Sequence, residues 1–289
     1  MSTDIWTVRR VLTWTTQHFE KKEIDAPRLT AEILLSHVLK VDRVRLYVDL
    51  DRPLSKEELA TYRGLIERRS SGEPTHYLTG HREFYGRTFK VDPRVLIPRP
   101  ETELLVEAVL REVPKEAPAR LLDLCVGSGA VAVTLAAERP QASVWATDLS
   151  PDAVAVSREN AEALGVGARV TIREGDLFSP LPPGVRFDAL ASNPPYIRSS
   201  DIGTLQAEVQ REPHLALDGG ADGLDLIRRI AREGQSWVKG GGRLAMEIGE
   251  EQGDAVKRLL EETGWVDVSV EKDLARLDRL VLARAPDHS

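Results

Sequence analysis

Four consecutive residues, Asn193-Pro194-Pro195-Tyr196, follow the buried-strand pattern Phe187-Asp188-Ala189-Leu190-Ala191-Ser192. A residue before proline is held extended, so Asn193 continues the strand direction. Each proline fixes its own φ and lacks an N–H, so the turn is stiff and offers mainly carbonyls. An amide side chain, an acceptor-rich backbone and an aromatic ring at the carboxyl edge of a sheet form a grip for a planar –NH2 group. The chemistry expected of them is chemistry on nitrogen. Taken alone, the same residues would also serve as a proline-stiffened loop with Tyr196 packed for stability.

Two further sites tip the balance toward chemistry. Asp123-Leu124-Cys125-Val126-Gly127-Ser128-Gly129-Ala130 closes one strand pattern and opens a helix. Its glycines let the backbone approach a ligand closely. Nineteen residues past Gly129, Asp148 ends the next strand, placed to accept hydrogen bonds from ribose hydroxyls. The loop is not a full G-x-G-x-x-G and lacks the Gly-Lys-Ser/Thr of a phosphate loop. A nucleoside bearing an amino acid therefore suits it better than a dinucleotide. The alternative is a tight strand–helix turn with a solvated aspartate. Asp176-Leu177-Phe178 ends a third strand. There Asp176 is read as a partner for an adenine amino group and Leu177 as packing on the purine face. A surface acid beside two core residues is the plainer alternative.

The elements that must position these residues alternate. Strands are predicted at 120–124, 144–148, 169–174, 187–192, 242–248, 265–271 and 277–284, with helices at 130–138, 151–164, 224–238 and 252–263. Strands alternating with helices of 10–15 residues argue for a mostly parallel α/β sheet. Its ligands bind beyond the carboxyl ends of the strands, where the strand order reverses. The first third reads as helices instead. Ile5, Val8, Val11, Leu12 and Thr15 keep a 3.6-residue period, as do Leu29, Ile33, Leu34, Val38 and Leu39. Ser55 is placed to cap a helix from Lys56 to Arg69. Trp6 and Trp14, eight residues apart on one helix face, are expected in the core. Tyr77 to Ile97 reads as short strands around Gly80 and Gly86, a hairpin connector, and a helix is predicted from Glu101 to Val113. His76 and His81 have no partners of ligand type in the sequence, so no metal site is expected.

With 289 residues the chain has room for one large domain and a smaller one. No apolar run nears the roughly 20 residues needed to span a bilayer. Met1-Ser2-Thr3-Asp4 lacks a basic-then-apolar leader pattern. The single cysteine, Cys125, excludes an internal disulfide and a cysteine-based zinc site. A cytoplasmic protein with no membrane partner is expected. Residues 1–98 carry 17 Lys and Arg against 14 Asp and Glu, and residues 99–289 carry 22 against 32. Nucleic-acid binders show a clearly basic face, so the acidic part bearing these motifs favours another substrate.

The loop Asp123 to Gly129, Asp148 and Asn193-Pro194-Pro195-Tyr196 together resemble the S-adenosylmethionine-dependent methyltransferases that modify planar amino groups. Among these the chain is most similar to the release-factor glutamine methyltransferases, the PrmC/HemK family. Two further stretches carry that narrower likeness. One runs from Tyr77-Leu78-Thr79-Gly80 through Glu83-Phe84-Tyr85-Gly86 to Leu96-Ile97-Pro98-Arg99-Pro100-Glu101-Thr102-Glu103. The other is Glu212-Pro213-His214-Leu215-Ala216-Leu217-Asp218-Gly219-Gly220 with Asp222-Gly223-Leu224.

The resemblance implies an α/β fold: a seven-stranded Rossmann-like methyltransferase domain with a small N-terminal helical domain and a β-hairpin connector. The bounds are a helical substrate-recognition domain at 1–75, the hairpin linker at 76–98 and the methyltransferase domain at 99–289. It implies transfer of a methyl group from S-adenosyl-L-methionine to the side-chain N5 of the glutamine in the Gly-Gly-Gln motif of peptide chain release factors. Cys125, Val126, Gly127, Ser128, Gly129, Asp148, Asp176, Leu177 and Asn193 would then meet the donor. Asn193, Pro194, Pro195 and Tyr196 would meet the substrate. Asn193 Oδ1 and the Pro194 carbonyl would each accept one amide N–H, and Tyr196 would pack on the substrate side chain. Arg99 and Glu101 are candidate pocket residues, although Glu101 and Glu103 equally suit a helix N-terminus. The family loop often has glycine where Cys125 stands. Positive φ would strain a cysteine there, and extended backbone is expected. A nucleic-acid methyltransferase acting on adenine N6 or guanine N2 is the competing reading. It needs a stacking platform and a basic channel, and 5% aromatic content with an acidic site region counts against it. A non-catalytic donor-binding module would show a damaged tetrapeptide.

Overall fold

The structure, a computed structural model, describes residues 5–287; Met1 to Asp4, where the leader pattern is lacking, lie outside the described residues. The chain forms two compact units. One runs to Gly80 and includes Gln206–Arg211; the other is His81–Leu205 with Glu212 onward.

The first unit holds helices α1 (Val8–Lys21), α2 (Pro27–Leu39), α3 (Arg43–Val48), α4 (Lys56–Ser70) and α5 (Thr75–Thr79). Thr7 caps α1, and Ser55 with Glu58 forms a reciprocal capping box on α4. Val8, Val11, Leu12, Thr15 and Phe19 give α1 one buried face. Ile5, expected on that face, precedes the helix and is 64% exposed. The stripe expected on α2 is displaced: Leu29 is exposed, and Thr30, Ala31, Glu32, Leu34 and Leu35 are buried. Helices α1, α3, α4 and α5 all pack against α2, so its buried surface is no single stripe. Of the two tryptophans expected in the core, Trp6 packs half-buried against it and Trp14 does not. Trp6 lies before α1 with the Arg10 guanidinium 4.5 Å over its ring, and Trp14 is exposed, stacked on His18.

The second unit opens with an antiparallel hairpin, β1 (His81–Phe84) and β2 (Arg87–Lys90). Its two turn residues, Tyr85 and Gly86, both take positive φ, as a primed turn requires. The stretch 76–98, expected as one connector, is thus divided between α5 in the first unit and the hairpin in the second. Buried Asn160 accepts from Lys90 N (2.8 Å) and donates to Lys90 O (3.0 Å) and Ser128 O (2.8 Å). One side chain thereby ties the hairpin to the Ser128 loop.

Next come α6 (Glu103–Glu112), β3 (Arg120–Leu124), α7 (Ala130–Glu138), β4 (Ser143–Asp148), α8 (Pro151–Ala163), β5 (Val170–Glu174) and β6 (Phe187–Ser192). They are followed by α9 (Asp225–Glu233), β7 (Val238–Glu247), α10 (Gly253–Glu262), β8 (Val266–Lys272) and β9 (Asp278–Arg284). The seven strands from β3 onward form one sheet in the order β5-β4-β3-β6-β7-β9-β8, parallel except for β9. All but two elements fall within two residues of their predicted bounds. Helix α9 stops at Glu233, where Gly234 packs under Trp265, and β7 starts at Val238 because Phe187 pairs there. Alternate residues feed two cores: Leu121, Ala189 and Ala245 one, Leu122, Leu190, Leu244 and Met246 the other.

Candidate active site

The chain runs from β3 outward to β5, then returns to β6 on the other side of β3. The connections leaving β3 and β6 therefore diverge, and a crevice opens at their carboxyl ends. Leu124 pairs with Ser192 across these strands. The next residues, Cys125 and Asn193, begin their loops side by side.

The β3 loop is shaped by backbone. Cys125 has φ 62°, Gly127 φ 52° and Gly129 φ 86°. The extended conformation expected for Cys125 is thus corrected: the loop needs a left-handed residue there, and cysteine occupies it at a cost of about 1–2 kcal/mol. Leu177 is held likewise at φ 45°. Two strained non-glycine residues facing one cavity are the kind of outlier that clusters at functional sites. Asp148 Oδ2 accepts from Gly127 N (2.9 Å) and Oδ1 from Ser150 N (2.9 Å). Burial raises its carboxyl pKa, and those amides pull it back down. Asp123 accepts from Ala132 N at 3.0 Å; burial pushes it up to about 8. Asp176 is gripped by the Arg229 guanidinium at 2.9 and 3.0 Å, a partner absent from the adenine reading.

The β6 turn is shaped by side chains. Asn193 Nδ2 donates to Thr102 Oγ1 (3.2 Å), Thr102 donates to Glu247 Oε2 (2.6 Å), and the Tyr196 hydroxyl donates to Glu247 Oε1 (3.0 Å). Tyr196, expected against the substrate, instead packs on the α9–α10 core, and burial raises its phenol pKa. The Asp218–Gly223 loop backs the turn: a Cβ at Gly219 would lie 2.8 Å from the Pro195 carbonyl. Gln252 donates to the Tyr196 carbonyl at 3.0 Å. Pro194 is buried, yet among the described residues its carbonyl and Asn193 Oδ1 accept no hydrogen bond. An acceptor without a partner can take a ligand's N–H, and of these two residues Asn193 lines the cleft between the loops.

One cleft joins the two loops. It is open to solvent at its mouth and lined by residues of both loops. Asp148, Leu149, Asp176 and Leu177 line it at one side, Cys125, Val126, Gly127 and Ser128 along its floor, and Thr102, Asn193 and Pro195 at the other. Gly129, Pro194, Tyr196 and Glu101 are not among the lining residues; Arg99 is, paired with Glu212. An S-adenosyl nucleoside fits this donor set. Both Asp148 oxygens keep lone pairs for ribose hydroxyls, Leu149 and Leu177 offer apolar faces, and a Cβ at Gly127 would meet no protein atom within 4 Å.

Thr102 and Glu212 lie in stretches that carry the family likeness but had no role assigned to them, and Glu247 lies in none of the motifs. Glu247 left one signal, a carboxylate inside the apolar strand Leu244-Ala245-Met246-Glu247-Ile248; a buried acid there demands partners.

Residues 10–80 match the family model of the PrmC N-terminal domain and residues 100–212 that of the methyltransferase small domain. The release factor glutamine methyltransferase of Geobacter sulfurreducens is 46% identical over 282 residues, covering 97% of this chain and 98% of that protein. That of Moorella thermoacetica is 43% identical over 278 residues, covering 96% and 98%. Two solved structures show the same fold. A T. thermophilus 16S rRNA N2 methyltransferase in complex with AdoMet and guanosine has TM-score 0.53 at 20% identity, covering 71% of this chain and 49% of that one. A methyltransferase from Pyrococcus furiosus has TM-score 0.52 at 15% identity, covering 70% and 91%. With its sheet order, its cleft and its near full-length relatives agreeing, the chain belongs to the family of release factor glutamine methyltransferases.

Proposed function

We propose that this protein moves a methyl group from S-adenosyl-L-methionine to the side-chain N5 of the glutamine in the Gly-Gly-Gln motif of peptide chain release factors, in the cytoplasm. The observation that carries the reading is that Asp148 and Asn193 line one cleft. Donor and acceptor atoms can therefore meet. The bound donor supplies an activated methyl on a sulfonium. The chain supplies geometry and polarisation.

A carboxamide nitrogen is a poor nucleophile because its lone pair is shared with the carbonyl; the rotation barrier of about 18–20 kcal/mol bounds the cost of losing that conjugation. Asn193 Oδ1 and the Pro194 carbonyl each accept one N–H of the target amide, fixing its plane and enriching its nitrogen. Each bond contributes only about 0.5–1.5 kcal/mol net. Holding nitrogen in line with the methyl carbon contributes up to about 7–11 kcal/mol, so positioning dominates. As the N–C bond forms the C–S bond breaks, and the acidic amide proton leaves to water. Pro195 is assigned the wall beside the substrate side chain.

Residues 1–75 are assigned recognition of the release factor and 99–289 the transfer, with the connection between them made within 76–98 by α5 and the hairpin, which fall in different units. Among the described residues no helix is long and apolar enough to cross a membrane. The test is incubation with labelled donor and purified release factor, followed by peptide mass mapping. Label on the Gly-Gly-Gln glutamine is expected. Label on RNA or DNA instead would move the assignment to an exocyclic amine.

A further inference from the structure

We infer that Glu247 and Thr102 are positioning residues that decide which end of the Asn193 amide meets the substrate. A threonine hydroxyl has one proton. In the observed chain that proton goes to Glu247 Oε2, so Thr102 Oγ1 can only accept from Asn193, and Asn193 must turn Nδ2 toward it. Oδ1 is thereby left as the free end, the end an amide N–H requires. With the proton reversed, Thr102 would donate to Asn193 Oδ1, and Nδ2 would face the substrate as a second donor. Methyl transfer needs an acceptor there, so the polarity of this chain is a condition of catalysis.

Glu247 anchors the polarity. It ends β7 with only 2% of its surface exposed and takes two hydroxyl donors, Thr102 on one oxygen and Tyr196 on the other. Burial holds its carboxyl pKa above the usual range, against the two hydroxyl bonds and the positive charge of Arg279 on β9, itself paired with Asp273 at 3.2 Å. A buried acid is costly unless it is bonded, and a core position carries one here where Leu244 and Met246 neighbours are apolar. Here the acid is bonded, and its two oxygens orient the Thr102 and Tyr196 hydroxyls.

This inference rests on the amide-methylation reading. Thr102→Val removes the hydroxyl at nearly constant shape. It should lower kcat by about tenfold, the loss of a single oriented hydrogen bond near 1.4 kcal/mol, with the donor Kd within about twofold of wild type. Thr102→Ser restores the hydroxyl and should restore most of kcat. Glu247→Leu should lower kcat similarly, and on the Thr102→Val background should add little, because the two act in series. The Asn193 side-chain amide proton resonances should be exchange-protected in wild type and lose protection in Thr102→Val. Thr102→Val at wild-type kcat, Thr102→Ser as slow as Thr102→Val, or additive losses in the double variant would overturn the positioning role. A wild-type protein that leaves the release factor unlabelled would overturn the methylation reading itself, which the donor Kd and the amide resonance do not depend on.

Discussion

The two loops that begin side by side beyond β3 and β6 hold their parts of the reaction by opposite means. The β3 loop is built on backbone: positive φ at Cys125, Gly127 and Gly129, the Gly127 amide locked on Asp148, and open space where Gly127 lacks a side chain. The β6 turn has its flexibility removed, by two prolines, by the packing of Gly219 on Pro195, and by the Asn193–Thr102–Glu247–Tyr196 network. On the proposed reading, a large donor with hydroxyls is met by vacated space and the Asp148 carboxylate, and a small neutral amide by Asn193 Oδ1 and the Pro194 carbonyl. The difference teaches that the site divides binding from positioning, so changes on one side should spare the other.

The sharpest way to break that division is at Asp148. Asp148→Ala removes a charged acceptor worth about 1.5–3 kcal/mol per bond. It should therefore weaken donor binding by about 10- to 100-fold, read by calorimetry. An unchanged Kd would remove the ribose assignment. Asp123 sharpens the comparison through pH. Its carboxyl, pushed up to about 8, holds a proton when folded that the unfolded chain releases near pH 4. The stability this contributes is complete below about pH 4 and is lost as pH rises through about 8. Asp123→Asn keeps an acceptor for Ala132 N and should remove this slope, up to about 1.4 kcal/mol between about pH 7 and 8 in denaturant unfolding. Equal slopes in both proteins would mean Asp123 is ionised in place. The smallest effect is expected at Cys125. Cys125→Gly relieves left-handed strain but loosens the unfolded chain, for a net gain of up to about 1 kcal/mol in thermal unfolding. A clear loss would show that contacts of the thiol outweigh the backbone strain.

The same contrast explains what the sequence disclosed. The strand–helix alternation was legible because each strand is short and each helix is punctuated, and Asp148 and Asn193 stand at strand ends where ligand contacts belong. The φ of Cys125 was not legible, since a single cysteine in a loop carries no local mark of a left-handed conformation. Thr102 and Glu247 are 145 residues apart in sequence, and only the pairing of β6 with β7 brings the acid under the turn. Tyr196 reads as a substrate contact until Glu247 is seen to claim its hydroxyl. Helix α2 misled for a related reason: neighbours on several sides erase the single stripe that periodicity detects.

Asn193→Ala, assayed for methyl transfer and for donor affinity on one preparation, tests the central claim most directly. Loss of transfer by about a hundredfold or more, the scale of removing one preorganised polar group, with donor Kd nearly unchanged, is the predicted result. Substantial residual turnover, or a loss of transfer that merely follows weakened donor binding, would contradict it.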